Sequence, residues 1–418
     1  MTKGKTDIFV FADWIGLNGS RLVGILSAHF AKGRKAFSFE YDKEWLETDA
    51  QRLLDPDIQF YSGPQFPVNK ENFGLFLDSM PDTWGRTLMK RREVQNARTN
   101  KEKARTLYDI DYLLGVYDET RMGALRFKTE IDGPFLDCDN QNPTPPWTSL
   151  GDLQEAVRHL ENDEQSQAIR KWLAVLVAPG SSLGGARPKT NVFDTDKNLW
   201  IAKFPSKADT IDKAAWEFLT YQLAIASGIE MAESKIEKIG SRYHTFLTKR
   251  FDRVKDQRIH FSSAMTMTGN TEEAIKDFAP SYLEIVEFIE TYGVDVEKNL
   301  HQLWRRIVFN IAISNTDDHL RNHGFILTEK GWILSPAYDM NPSIEKDGLS
   351  LNIDMDDNAL DFELARSVGE YFRLNDNKME IILNEVLSQV GKWKSIADQI
   401  GIPKKEQQLM EKAFIIEP

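Results

Sequence analysis

Apolar and polar residues alternate through Phe37, Phe39 and Tyr41, the period of a half-buried strand, and residues 8–12 form a short apolar strand before it. Between the two, Leu17-Asn18-Gly19-Ser20 carries hairpin-turn chemistry, since Asn-Gly accepts the positive φ of a tight turn. The period lengthens to that of a helix from Phe73 to Met89, and Asp82 is placed to cap a helix after Pro81. Residues 140–147 hold three prolines and two asparagines and predict a linker. Helical spacing returns at Leu150, Leu153, Val157 and Leu160, and again at Ile169, Trp172, Leu173 and Leu176.

A small-residue loop at 178–189 precedes two β-like stretches, 190–193 and 199–203, joined by a polar turn. A helix at 211–227 stops at Gly228, and strands follow at 234–239 and 243–251. From Ser281 the pattern is almost wholly helical, with Leu283, Val286 and Ile289 on one apolar face and Leu300, Leu303, Ile307 and Ile311 on another. The order predicts an α+β chain in which a β-containing lobe precedes an all-helical C-terminal lobe. Its expected parts are a small α+β subdomain at 1–139, a linker at 140–147, a β-containing part at 148–255 and a helical lobe at 256–418.

Composition narrows the field. Hydrophobic residues are 41% and charged residues 28% of the 418, a globular balance, and the net charge of −12 supplies no footprint for a nucleic-acid backbone. Cys138 is the only cysteine, so no intrachain disulfide forms and a reducing, cytoplasmic setting is expected. Asp7, Asp13 and the Asn18-Gly19 turn interrupt any signal-type apolar run, and no apolar stretch reaches membrane-spanning length.

The strongest chemical signal is Ser314-Asn315-Thr316-Asp317-Asp318-His319-Leu320-Arg321-Asn322, with Tyr338-Asp339 further on. An aspartate with an asparagine five residues later is the spacing of a phosphoryl-transfer loop, in which the first takes a hydroxyl proton and the second ligates magnesium. Asp317 is preferred to Asp318 because only it has that asparagine, and Asp339 can complete a magnesium site. A capping and turn cluster is the bland alternative. Zinc is disfavoured, since His319 and His323 have no cysteine partners nearby. Gly180 and Gly185 have Walker A separation, but Ala186-Arg187 stands where Lys-Ser/Thr is needed. The loop is therefore either a phosphate cradle of another kind or a turn. Lys203, on a strand, can point at phosphates or merely guard a sheet edge.

The strings SSLGGARPK, LWIAKFP, LTKRFDR, ISNTDDHLRNHGFIL and PAYDMNPS resemble those of HipA-type serine/threonine kinases, the toxin halves of bacterial toxin–antitoxin pairs. FADWIGLNG and DSMPDTWGR are similar to the family's extra N-terminal subdomain, so the resemblance covers nearly the whole chain. It implies a bilobal kinase-like fold, distantly related to protein and lipid kinases, with ATP and Mg²⁺ as cofactors. By resemblance Asp317 is the proton acceptor, and Asn322 and Asp339 ligate the metal. ATP would be held by Gly184, Gly185, Ala186, Arg187, Pro188 and Lys189, by Lys203, by a hinge of Lys249, Arg250 and Phe251, and by His319, Leu320, Arg321, Asn322, Tyr338 and Asp339. Ser182, with Ser181 as alternative, matches the autophosphorylated serine. The implied partners are a protein acceptor of the translation machinery, such as an aminoacyl-tRNA synthetase, and a HipB-like helix-turn-helix antitoxin through which alone DNA is contacted. No membrane partner is implied. Two other readings stay open: a weakly or non-catalytic antitoxin partner acting in operon repression, and a small-molecule kinase.

Overall fold

In the computed structural model, which describes residues 4–31, 34–48, 52–136, 144–162, 173, 176 and 185–417, the alternating segments near the start become a four-stranded antiparallel sheet. Its strands are β1 (Gly4–Ala12), β2 (Arg21–Ala31), β3 (Arg34–Tyr41) and β4 (Leu125–Lys128), in the order β3-β2-β1-β4. The register between β1 and β2 shifts at Val10/Phe11, next to the Val10↔Gly24 pair. A Cβ on Gly24 would lie 2.2 Å from the Glu40 carbonyl oxygen, so only glycine admits this approach of β2 to β3. The inward residues Ile8, Val10, Leu26, Phe37 and Phe39 are buried, and the rings of Phe39 and Phe127 each meet Phe76, at 5.8 and 6.2 Å.

The helical period expected from Phe73 to Met89 is split into a short helix, Gly74–Asp78, and α1 (Thr83–Asn100). Pro81 causes the break, because it disfavours helical geometry in the residue before it and has no N–H to donate. Asp82 caps α1, accepting from Gly85 N at 2.8 Å. In α2 (Leu150–Glu161) Leu150, Leu153, Val157 and Leu160 are buried, as their spacing requires. Strands β5 (Lys189–Phe193) and β6 (Leu199–Lys203) pair antiparallel, with Asp194 closing their turn by accepting from Asp196 N and Asn198 N at 2.9 and 2.8 Å.

The described part of the expected linker is packed. Phe193 N donates to Pro145 O at 3.0 Å, and Trp147 meets Trp200 edge-on at 5.4 Å. Residues 140–143, Cys138, Ile169 and Trp172 lie outside the described residues. The compact units divide the chain along another line than that linker. One comprises Met1–Lys207, Arg250–Ser262 and Leu327–Glu329, the other Ala208–Lys249, Ser263–Ile326 and Lys330–Pro418.

The second unit holds α3 (Lys213–Ala226), the antiparallel pair β7 (Ser234–Glu237) and β8 (Thr245–Lys249), α4 (Tyr282–Tyr292) and α5 (Val296–Ala312). Ser281 and Glu284 form a reciprocal capping box at the start of α4. Leu300, Leu303, Trp304, Ile307 and Ile311 bury the inner stripe of α5 completely. The lobe expected to be all-helical also carries β9 (Gly324–Leu327) and β10 (Trp332–Leu334), neighbours in one sheet. Strands this short fall below the window over which a period can be read. Helices resume from Phe362, and Phe414 stacks on Trp393 at 4.3 Å, with Trp216 of α3 6.1 Å from Phe414. Among the described residues no helix is long and apolar enough to cross a membrane.

Candidate active site

The buried stripe of α5 delivers the polar run that follows it. The helix ends at Ala312, Ser314 adopts a left-handed φ of 48°, and Asn315 N returns to Asn310 O at 2.8 Å. A non-glycine residue held there is strained, which marks a turn fixed by its surroundings. Leu320 is fully buried and pins the middle of the loop. Asp317 is exposed, whereas its neighbour Asp318 is 2% exposed and accepts hydrogen bonds from Tyr282 and His323. The two adjacent carboxylates thus divide: Asp318 is committed inward and Asp317 faces outward. Asn322 donates its amide N–H to the Asp317 carbonyl at 3.1 Å, which turns its amide oxygen away from that bond.

The chain beyond β10 runs beside this loop. The Tyr338 hydroxyl donates to Arg321 O at 2.8 Å, Ser343 N donates to Ser314 O at 3.2 Å, and Asn341 N reaches Asn315 Oδ1 at 3.5 Å. Asp339 lies within this segment, half-buried, at a left-handed φ of 59°. Asp317, Asn322 and Asp339 therefore belong to two segments tied to each other, although 17 residues separate Arg321 from Tyr338. Among the described residues no three His, Cys, Asp or Glu groups gather to hold a metal alone. An Asn amide oxygen and one carboxylate are nevertheless a donor set that fits Mg²⁺, a hard cation that keeps water and phosphate oxygens as its other ligands.

Other residues expected to hold nucleotide have definite surroundings. Leu320 is fully buried, so its side chain belongs to the core rather than to a ligand contact. Arg321 donates to Glu272 at 2.5 Å, and the half-buried His319 has its Nδ1 buried without a hydrogen-bond partner. Lys249 N donates to Glu233 O at 2.8 Å.

In the first unit, Gly185 takes a φ of +90°, the region glycine favours, and Ala186 is exposed while Pro188 is buried. Lys189 and Lys203 are direct cross-strand partners in β5 and β6, so both side chains leave the same face. Lys189 is 3% exposed, and its Nζ lies 2.8 Å from Asp82 Oδ2 and 3.4 Å from Gly185 O. The Trp84 indole donates to Lys189 O at 3.0 Å. Burial raises the Asp82 pKa, and the Lys189 ammonium opposes that rise. Read in the sequence only as a cap, Asp82 is also the counter-ion of Lys189, a link across 107 residues that no local spacing signals.

The Arg250 guanidinium is buried and bound to Asp252 at 2.7 and 2.5 Å, to Thr120 O at 2.7 Å and to Asn191 at 3.1 Å. Its backbone N–H donates to Leu199 O at 2.8 Å. That side chain is a structural staple, so any adenine contact by Arg250 falls to its remaining backbone atoms. Phe251 is half-buried beside Phe261, at 5.8 Å. Gly184, Ser181 and Ser182 lie outside the described residues.

The family model of the HipA-like C-terminal domain matches residues 181–394, just over half of the chain. "Putative kinase Y4mE" of Sinorhizobium fredii is 24% identical over 159 residues, which span 36% of this chain and 36% of that protein. "Putative kinase" of Haemophilus influenzae is 26% identical over 179 residues, spanning 38% of this chain and 52% of the relative. The chain thus spans about half or less of the length of these curated relatives. The HipA of the Shewanella oneidensis MR-1 toxin–antitoxin complex with HipB and operator DNA superposes with a TM-score of 0.62, covering 94% of this chain and 93% of that one at 16% identity. That likeness establishes the mixed α and antiparallel-β fold. Joined to a family match across more than half of its residues, it means that this chain belongs to the family built on the HipA-like C-terminal domain.

Proposed function

We propose that the protein is an ATP- and Mg²⁺-dependent kinase that transfers the γ-phosphoryl group to a serine or threonine hydroxyl of a protein. The observation that carries this reading is the exposed Asp317 beside Asn322, with the Asp339 segment fastened to the same loop through Tyr338 and Arg321. Asp317 would take the acceptor proton, and Asn322 and Asp339 would hold the metal. Bound Mg²⁺ would neutralise charge on the phosphates. Lys203 and residues 184–189 are the proposed phosphate contacts, with Lys189 set by Asp82. Positioning and electrostatics dominate such a transfer, because its loose transition state leaves little covalent work to the protein.

The test is transfer of labelled phosphate from ATP. Asp317→Asn is expected to lower kcat by roughly 10²–10⁴-fold, about 3–5.5 kcal/mol of barrier, while ATP binding persists. Undiminished transfer removes Asp317 from the role of base. Autophosphorylation at Ser182, with Ser181 as alternative, and arrest of translation through an aminoacyl-tRNA synthetase belong to the same proposal. Phosphoproteins that appear only with the wild-type chain would identify the acceptor, whereas low-mass phosphorylated products would favour a metabolite kinase. A second reading is favoured by the structural neighbour, whose complex includes HipB and operator DNA. Here the chain is chiefly an intracellular partner of a small helix-turn-helix antitoxin, and absence of any phosphoryl transfer by a folded protein would select it.

A further inference from the structure

The residue beside the proposed base is the hub of a buried polar chain. The Asp318 Oδ2 atom accepts from the Tyr282 hydroxyl and lies 2.7 Å from His323 Nε2. Tyr282 also accepts from Asn310 Nδ2 at 3.2 Å, and Asn310 Oδ1 accepts from Asn315 Nδ2 at 3.0 Å. The chain therefore runs from the inner face of α5 to both ends of the Asp317 loop. Asp318 directly follows Asp317, and His323 directly follows Asn322. One side-chain bond thus closes the segment that begins with the base and ends with the metal ligand. The Asn322 amide bond to Asp317 O is a second tie across the same span.

Packing alone does not explain this arrangement. A buried carboxylate is expensive to desolvate, and apolar groups of similar volume would stabilise such a place at least as well. Asp318 is held by two directed donors, and the Tyr282 and His323 rings meet edge-on at 5.6 Å, which fixes the orientation of both. Arg306, itself 1% exposed, donates to Ser335 O at 2.6 Å, at the root of the Asp339 segment. Burial lowers the Arg306 pKa to about 10, and the charge of Asp318 opposes that fall.

We propose that Asp318 and His323 are a positioning pair that sets the separation and direction of Asp317 relative to Asn322. The inference rests on the kinase reading and deepens it. Neither residue touches substrate. Their effect is to keep the proton acceptor and the metal oxygen in one fixed geometry, much as outer partners of a metal site orient its ligands.

The experiment is steady-state phosphoryl transfer, with Mg²⁺ titration, by the full chain and three variants whose folding is followed by thermal melting. His323→Phe keeps a ring and removes the donor. It is expected to lower kcat by about 10–100-fold and to weaken the Mg²⁺ response, with KM for ATP changed less than about threefold. His323→Gln, which retains an N–H donor, is expected to recover most of the loss. Tyr282→Phe deletes only the other donor to the same carboxylate and should shift kcat in the same direction by less. It decides the matter should His323→Phe fail to fold, since an unchanged kcat then overturns the pair. A folded His323→Phe variant with unaltered kcat, or one whose kcat and ATP affinity fall in step, also overturns it while leaving the kinase reading in place. A wild-type chain that transfers no phosphate overturns both.

Discussion

Asp252 in the first unit and Asp318 in the second are both buried carboxylates, at 0% and 2% exposure, yet their partners are of opposite kinds. Asp252 meets two cations, Arg250 at 2.5 Å and Arg253 at 2.6 Å, and accepts from Gly123 N at 2.8 Å. Burial alone would raise its pKa, but the two guanidiniums bring it down to about 2. Those arginines also donate to the carbonyls of Thr120, Gly123 and Arg121, so the cluster staples residues 120–123 to residues 250–253. Asp318 instead accepts from a phenol, whose pKa burial and the Asp318 charge push well up, and from an imidazole. The difference separates two uses of one residue type. Cations lock a carboxylate into a strut, whereas directed hydrogen bonds orient a loop whose next carboxylate faces solvent.

The comparison can be broken most forcefully at the strut. Asp252→Asn leaves Arg250 buried against a neutral amide and is expected to lower the unfolding free energy by about 3–5 kcal/mol in urea denaturation. A loss below about 1 kcal/mol would show that the backbone carbonyls alone satisfy the two arginines. A smaller effect belongs to His260, which stacks on Trp14 at 5.3 Å in the same unit. Burial drives its pKa from 6.5 to about 3, with the charge of Asp252 opposing. Between these values the unfolded chain binds more protons than the folded one. The contribution is therefore complete above pH 6.5 and is lost as pH falls toward 3. From pH 7 to pH 5 this site alone should remove about 2 kcal/mol, and His260→Phe should flatten that part of a stability–pH curve. The smallest effect is expected at the surface. Glu290 and Arg373 are 3.0 Å apart but 44% and 51% exposed, so Glu290→Gln should change stability by less than about 0.5 kcal/mol. A larger change there would mean that burial is not what separates strut from ornament.

Much of the architecture was readable from local pattern. The Phe37, Phe39 and Tyr41 alternation, the Asp82 cap, the α2 stripe and the two strands β5 and β6 follow from side-chain period and turn chemistry, which depend on near neighbours. The spacing to Asn322 singles out Asp317 in the sequence, but that Asp317 is exposed and Asp318 buried is a fact of the fold alone. The helix start after Pro81 is legible from the Asp82 cap, but the separate short helix before it is not, because apolar spacing continues across the break, and β9 and β10 are not legible because three or four residues carry no period. The Asp318–His323 bond has a faint local signal, two polar groups five residues apart between apolar segments, but its direction inward does not.

Taken by itself, the amino-acid order determined which residues are candidates for chemistry here, because the spacing proposed for a phosphoryl-transfer loop, like that of a helix cap, spans only a few residues. It was tertiary structure that decided which of those groups are spent inside. Arg250 is neutralised by Asp252, and Asp318 is turned inward to Tyr282 and His323. Each assignment depends on which distant segment fills the space beside a side chain, and desolvation, which makes an unpaired charge intolerable there, acts only once the chain has packed.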